Sequence, residues 1–186
     1  MFATHQKQIE EYAWHNPQHI VDVLAFARLT VRRQMPFAVR LAKKAWRVGV
    51  EAFPDEAGKK CYEQICEAAP FIWASGPSSE SVFRKTLEIS GFGMAKAGFV
   101  TQMLTGQLGC FDSHNLTRFN LKGGAFRIDA PWEVVEQRIK LYKALCNNLG
   151  SAYMWDSWCE YVAALYPKVY RDAEHLSEMH VEGVVR

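Results

Sequence analysis

Gly91, Phe92, Gly93 and Asp112 are the residues of this chain whose types and spacing could do chemistry together. Two glycines with one apolar residue between them, at the junction of two apolar helical stretches, predict a tight turn at a helix start. Backbone N–H groups project outward from such a turn, where a phosphate can be held. Asp112 follows nineteen residues beyond Gly93, after the break Gly106-Gln107-Leu108-Gly109. A carboxylate one helix away from a phosphate-holding turn can face the nucleotide that the phosphate belongs to, which points to chemistry on DNA.

The elements that must position these residues read as helices throughout. Asn16 is a cap with Pro17 at the first helical position, and Ile20, Val23, Leu24 and Ala27 follow at helical spacing to about Leu29. A polar break, Thr30 to Pro36, leads into a second helix with Phe37, Leu41, Ala45 and Trp46 on its apolar face and basic residues opposite. Ala57 to Ala68 is helical again, and Ser79 is available to cap Glu80 to Glu88. Beyond the glycine turn, Met94 to Thr105 places Ala97, Val100, Met103 and Leu104 on one side. A short helix runs from Ser113 to about Phe119. An amphipathic helix carries Trp132, Val135, Ile139, Leu141 and Tyr142, and a last one, Ala152 to Leu165, is studded with Tyr153, Trp155, Trp158 and Tyr161. No run alternates as a strand does. The expected fold class is all-α.

The 186 residues support one compact domain, taken as residues 1–170, with a loose tail over residues 171–186. Hydrophobic residues make up 49 %, yet no uncharged apolar stretch approaches the roughly 20 residues that a membrane span needs. The opening His5 to Glu11 is already polar and helical in style, so a cytoplasmic location and no membrane partner are the expectation. The net charge of +2 is modest, but Arg28, Arg32, Arg33, Arg40, Lys43, Lys44 and Arg47 cluster locally. Five cysteines at irregular spacing, without a CxxC pair, are expected to be buried free thiols. The histidines show no metal-ligand spacing, and no Walker-type phosphate loop occurs. Gly91-Phe92-Gly93 lacks the third glycine and the flanking strand of a dinucleotide site.

Gly91-Phe92-Gly93, Ala97 four residues on, and Asp112 followed by Ser113-His114-Asn115 resemble the helix-hairpin-helix and Gly/Pro…Asp signature of the DNA glycosylase superfamily that includes endonuclease III and the adenine glycosylases. The strong part covers about thirty residues, with the helix-hairpin-helix at about residues 80–106. The resemblance implies that the amides of Gly91, Phe92, Gly93 and their neighbours, Ala95 and Lys96 among them, hold a DNA phosphate without reading sequence, with a monovalent cation as an option at the hairpin. It implies that Asp112 faces the deoxyribose of an extruded nucleotide, stabilising the cationic sugar or activating water. Asp is also a preferred helix cap, and the two roles are compatible. His114 is a second catalytic candidate, its ordinary alternative being a partly buried histidine bonded to backbone. Arg32, Arg33 and Gln34 lie in the break where related enzymes place residues that enter the gap left by a flipped base. Asn115, Arg118 and Trp155 are candidates to line the substrate pocket, although aromatics at helical spacing more often pack a core.

The chain also departs from the family pattern. Where the strand-cleaving members carry an amine nucleophile, two residues after the second glycine, this chain has Ala95. Lys96 is one residue later and about 100° around the helix, which suits a phosphate contact or a solvated lysine. Only Cys146 and Cys159 fall near the C-terminal end, so no iron–sulfur cluster is expected. Ser90 replaces the usual proline before the hairpin. The leading expectation is a monofunctional glycosylase. One alternative is the superfamily branch proposed to hypermodify thymidine in bacteriophage DNA, joining an amino acid or polyamine co-substrate to activated 5-hydroxymethyl-uracil. The other is a non-catalytic DNA-binding module.

Overall fold

In a computed structural model, which describes residues 2–30 and 35–167, the secondary structure among the described residues is all helical. In order these are α1 (Phe2–Ala13), α2 (Pro17–Leu29), α3 (Met35–Val48), α4 (Glu56–Ala74), α5 (Ser79–Glu88), α6 (Met94–Thr105), α7 (Ser113–Arg118), α8 (Trp132–Leu149) and α9 (Ser151–Leu165). Short 3-10 turns at Gly49–Ala52 and Gly123–Phe126 complete the described elements. The tail expected over residues 171–186 lies outside the described residues.

Local signals set most helix starts. The Asn16 side chain accepts the His19 N–H at 3.2 Å ahead of Pro17, and Asp55 caps α4 by accepting from Gly58 N–H at 2.7 Å. The cap of α5 is Ser78 rather than the expected Ser79. The helix expected to stop at Ala68 runs on through Pro70 to Ala74, because Ala69 and Ile72 continue its buried face.

Helix α6 organises the molecule. Its sequence reads as amphipathic, but every residue from Ala97 to Thr105 is buried, so it is a central helix covered on all sides. Its polar side chains are satisfied locally: Thr101 Oγ1 donates to Ala97 O, Thr105 Oγ1 to Thr101 O, and Gln102 Nε2 to Ser151 O, each at 2.7 Å. Its last carbonyls are taken by α1, where Gln6 Nε2 donates to Gln102 O at 3.1 Å and Trp14 Nε1 to Leu104 O at 2.6 Å. Gly106 then ends the helix at φ +66°.

Two apolar clusters lie on either side of α6. Phe99, Val100, Met103 and Leu104 join Ile20, Leu24, Ile65, Ile72 and Trp155 from α2, α4 and α9. Met94 and Ala97 join Phe83, Phe111, Phe126, Ile139, Tyr142 and Met154 from α5, α8, α9 and the loop after α6. A third cluster seats Ala42 and Ala45 of α3 against Ala25 and Leu29 of α2. In α8 the buried face is Val135, Ile139, Tyr142 and Cys146, whereas Trp132 and Leu141, expected on it, are exposed. Four cysteines are buried as expected, but Cys66 is exposed. No helix among the described residues is long and apolar enough to cross a membrane.

Gly98 is where α6 comes closest to the rest of the molecule. A Cβ there would fall closer to Tyr142 Oη and Gly109 O than real Cβ atoms approach, whereas a Cβ at Gly93 meets nothing within 4 Å. Gly98→Ala is expected to destabilise the fold by about 2–3 kcal/mol through overpacking, and Gly93→Ala by about 1 kcal/mol or less. Urea unfolding followed by circular dichroism measures both.

Candidate functional site

The turn between α5 and α6 has the shape that two closely spaced glycines require. Gly91 sits at φ +83°, a conformation that favours glycine, and Phe92 N–H donates back to Ile89 O at 3.1 Å. That bond closes the turn, so the Phe92 amide is not open to a phosphate. Its ring is 2 % exposed and anchors the turn in the first apolar cluster. The expected role of Phe92 as an anion contact is therefore corrected to that of an anchor. The opening is one residue further on. Gly93 caps α6 without a side-chain bond, and the N–H groups of Met94, Ala95 and Lys96 have no intrahelical acceptor. Open space in front of the Gly93 α-carbon lets an anion approach these amides. From behind, Arg28 Nε lies 3.4 Å from where a Gly91 Cβ would stand, so its guanidinium places positive charge under the turn.

Lys96 is neither a solvated lysine nor free to swing. It is half-buried, and its Nζ donates to Thr30 Oγ1 at 2.6 Å, while the Thr30 hydroxyl itself donates to Ala27 O at 2.8 Å. The ammonium also lies 5.5 Å from the Phe99 ring centroid. One turn into α6, it is thus tied to the C-terminal end of α2, with two of its three N–H donors left for another partner.

The loop that carries Asp112 is unusual in being buried. Leu108, Gly109, Cys110 and Phe111 are all inaccessible, with Leu108 at φ +64°, and the chain emerges only at Asp112, which is half-buried. A buried loop must find partners for its backbone groups. Tyr142 Oη donates to Gly109 O and accepts from Phe111 N–H at 3.3 Å. Asn115 Nδ2 donates to Cys110 O at 2.7 Å, and Ser157 Oγ donates to Asn115 Oδ1 at 3.3 Å. Gly109 N–H points to the Cys146 sulfur and Asp112 N–H to the Cys110 sulfur. Burial holds the Tyr142 phenol well above its ordinary range, with the neighbouring thiols and Asp112 adding to it. It therefore stays protonated and able to donate.

Asp112 caps α7, its Oδ1 accepting the Asn115 N–H at 2.9 Å. The Cys110 thiol reports where its charge lies relative to Lys96. Burial pushes this thiol up to about 12, the Asp112 carboxylate raises it further, and the Lys96 ammonium lowers it. A carboxylate and an ammonium from different elements therefore both act on the same buried thiol.

The other predicted residues are placed as follows. Asn115 is fully buried and both ends of its amide are used, so it staples the loop and lines no pocket. Trp155 is 5 % exposed and packs with Phe99 and Trp158, which makes it core and not a platform for a base. Arg118 is exposed on the outer side, over the Tyr153 ring and near Glu160. His114 stacks on Tyr161 with ring centroids 3.9 Å apart, and no hydrogen bond joins it to Asp112. Its Nε2 is buried and has no hydrogen-bond partner among the described residues. Ala95 lies in the open first turn of α6. Arg32, Arg33 and Gln34 lie outside the described residues, although Thr30, which receives Lys96, stands just before them. Sequence reasoning missed Thr30, Arg28, Gly98 and Tyr142. A polar residue ending α2 was a signal for the first, whereas Tyr142 gives none, thirty residues beyond Asp112 on an ordinary helical face. A groove of about 640 Å³ lies elsewhere, lined by Lys7, Glu10, Glu11, Trp14, Trp73 and Pro77, and includes none of these residues.

Comparison of the chain with protein-family models, with curated proteins and with solved structures finds no match. Tyr142→Phe keeps the ring and removes the staple. It is expected to cost about 1–3 kcal/mol, because a buried carbonyl and a buried N–H lose their partner. Hydrogen exchange of the Phe111 amide would rise more than that of α6, and equal changes would count against the staple.

Proposed function

We propose that this chain is a base-flipping DNA enzyme with a helix-hairpin-helix glycosylase-like fold, hydrolysing the N-glycosidic bond of a damaged or modified nucleotide. The observations that carry the reading are the uncapped start of α6, Lys96 held in its first turn by Thr30, and Asp112 held at the end of the buried loop, with both charges acting on the Cys110 thiol. In the reaction, the bond from C1′ to the base nitrogen breaks and its electron pair leaves with the base, so positive charge grows on the sugar and negative charge on the base. Asp112 faces the sugar and stabilises the cation, and its carboxylate takes a proton from the water that adds at C1′. Lys96 faces the leaving base and stabilises its negative charge, with two donors free to do so. The open amides of Gly93 to Lys96 hold a flanking phosphate and set the register without specifying sequence.

This dipolar arrangement favours base removal over simple binding. A non-catalytic module needs the phosphate contacts but gains nothing from a carboxylate and an ammonium that are each held in place. The loop's burial supports the same reading, since preorganised groups do not have to reorient as charge develops.

Two substitutions test the roles separately. Asp112→Asn keeps a good helix cap, so stability and DNA affinity should stay nearly unchanged while base release falls by about 10²–10⁴-fold. Free bases from duplexes carrying uracil, alkylated, oxidised or 5-hydroxymethyl-uracil nucleotides are measured by mass spectrometry, and undiminished release by Asp112→Asn would remove Asp112 from the mechanism. Lys96→Met should lower release by about 10²-fold with the Asp112→Asn defect added on top only in part, since both groups act on one transition state. Full additivity of the two losses would show that the two groups act independently and not as a coupled pair.

A further inference from the structure

We infer that the basic face of α3 is a second DNA-binding surface, which grips the phosphate backbone of duplex beyond the nucleotide held at the hairpin. The inference rests on the DNA reading above and extends it to a surface that no part of that mechanism uses.

Helix α3 is divided sharply between its two sides. Ala38, Ala42 and Ala45 are buried, the last two against Ala25 and Leu29 of α2. Arg40, Lys44 and Arg47 are exposed and Lys43 half-exposed on the remaining surface. No acidic residue occurs between Asp22 and Glu51. Elsewhere several basic side chains are paired, Arg84 with Glu80 and Glu136, Lys85 with Glu88, Lys59 with Glu56, and Arg127 with Asp129, and the unpaired ones are not gathered four to a single helix face with no acidic residue nearby in the chain. Among the described residues, none of the four cations on α3 has an ion-pair partner. Four like charges along one helix repel one another, and an anionic partner relieves that repulsion.

Charge complementarity selects the partner. From Arg40 to Arg47 the helix advances about 10 Å, which spans about three phosphate steps of one DNA strand. A membrane surface fits less well, because an interfacial helix needs a continuous apolar face to insert, whereas α3 buries its alanine face against α2 and its exposed Phe37 and Val48 stand near opposite ends of the helix. The position also fits. Thr30, which holds Lys96 of the hairpin's second helix, ends α2 five residues before α3 begins, and α3 packs along that same helix α2. A duplex anchored at Gly93 to Lys96 would pass along this helix.

The test is the salt dependence of binding to a fluorescein-labelled 20-base-pair duplex, followed by anisotropy across potassium chloride concentrations. A quadruple variant, Arg40→Gln, Lys43→Gln, Lys44→Gln and Arg47→Gln, is compared with a control that loses four exposed charges elsewhere, Lys7→Gln, Lys60→Gln, Lys122→Gln and Lys140→Gln. Each phosphate contact contributes about 0.9 to the slope of log affinity against log salt, so the α3 variant should lose about 3 from that slope and the control almost nothing. Gly93→Val, which fills the open approach to the hairpin amides, serves as the arm for the underlying reading. An unchanged slope in the α3 variant, with binding weakened by Gly93→Val, would overturn the α3 surface and leave the hairpin reading standing. Equal losses in the α3 variant and the control would reduce the effect to net charge and overturn it as well. No binding of wild type to any DNA would overturn both. Capture by phosphatidylserine vesicles that the α3 variant loses, with its DNA slope intact, would assign the face to a membrane instead.

Discussion

The buried hydroxyl of Tyr142 is the interaction on which the candidate site depends. It holds a carbonyl and an N–H of a loop that has no secondary structure of its own, deep enough that water cannot substitute for it. Gly98 makes the contact geometrically available, because only a residue without Cβ lets α6 approach both the phenol and the loop. Met154 presses from the third side, with its Cε 2.5 Å from where a Gly109 Cβ would be. The loop is thus held by α6, α8 and α9 together, and Asp112 leaves it at a position that all three determine.

A polar loop inside an apolar cluster is costly unless each backbone group is paired. Here the partners are side chains drawn from distant parts of the chain: Tyr142, Asn115 and the sulfurs of Cys110 and Cys146. This accounts for the buried amide of Asn115 and for thiols pushed up to about 12 at Cys110 and Cys146, which are packing and hydrogen-bonding groups and not nucleophiles. The same arrangement makes the carboxylate of Asp112 a fixed charge. Lys96 is fixed independently, through Thr30, by the end of α2. Two charges held by separate supports form a field that exists before any ligand arrives.

The charge distribution extends beyond these two groups. Arg28 lies under the turn, Lys96 beside it and the α3 cations further along the chain's basic stretch, whereas the acidic side chains are spread over the other helices. A net charge of +2 hides this asymmetry because it sums over the whole surface. What an anionic polymer meets is the local arrangement, and that is one-signed along α3.

The sequence by itself determined the helical class, most helix starts and the turn between α5 and α6. Each of these rests on near neighbours: Asn16 before Pro17, Asp55 before Gly58, and a glycine where φ must be positive at Gly91. It also singled out Asp112, since a cap and a spacing are both local properties. Tertiary structure alone decided which side chains stand together. Phe92 became an anchor because its ring finds the first cluster, Trp155 and Asn115 went inside, and Lys96, whose local context suggested a phosphate contact or solvent, was drawn onto a threonine sixty-six positions away. No periodicity announces Tyr142 as the staple of a loop thirty residues earlier. A helix reads from the hydrogen bonds it makes with itself, whereas a site is assembled from groups whose separation in sequence bears no relation to their distance in space.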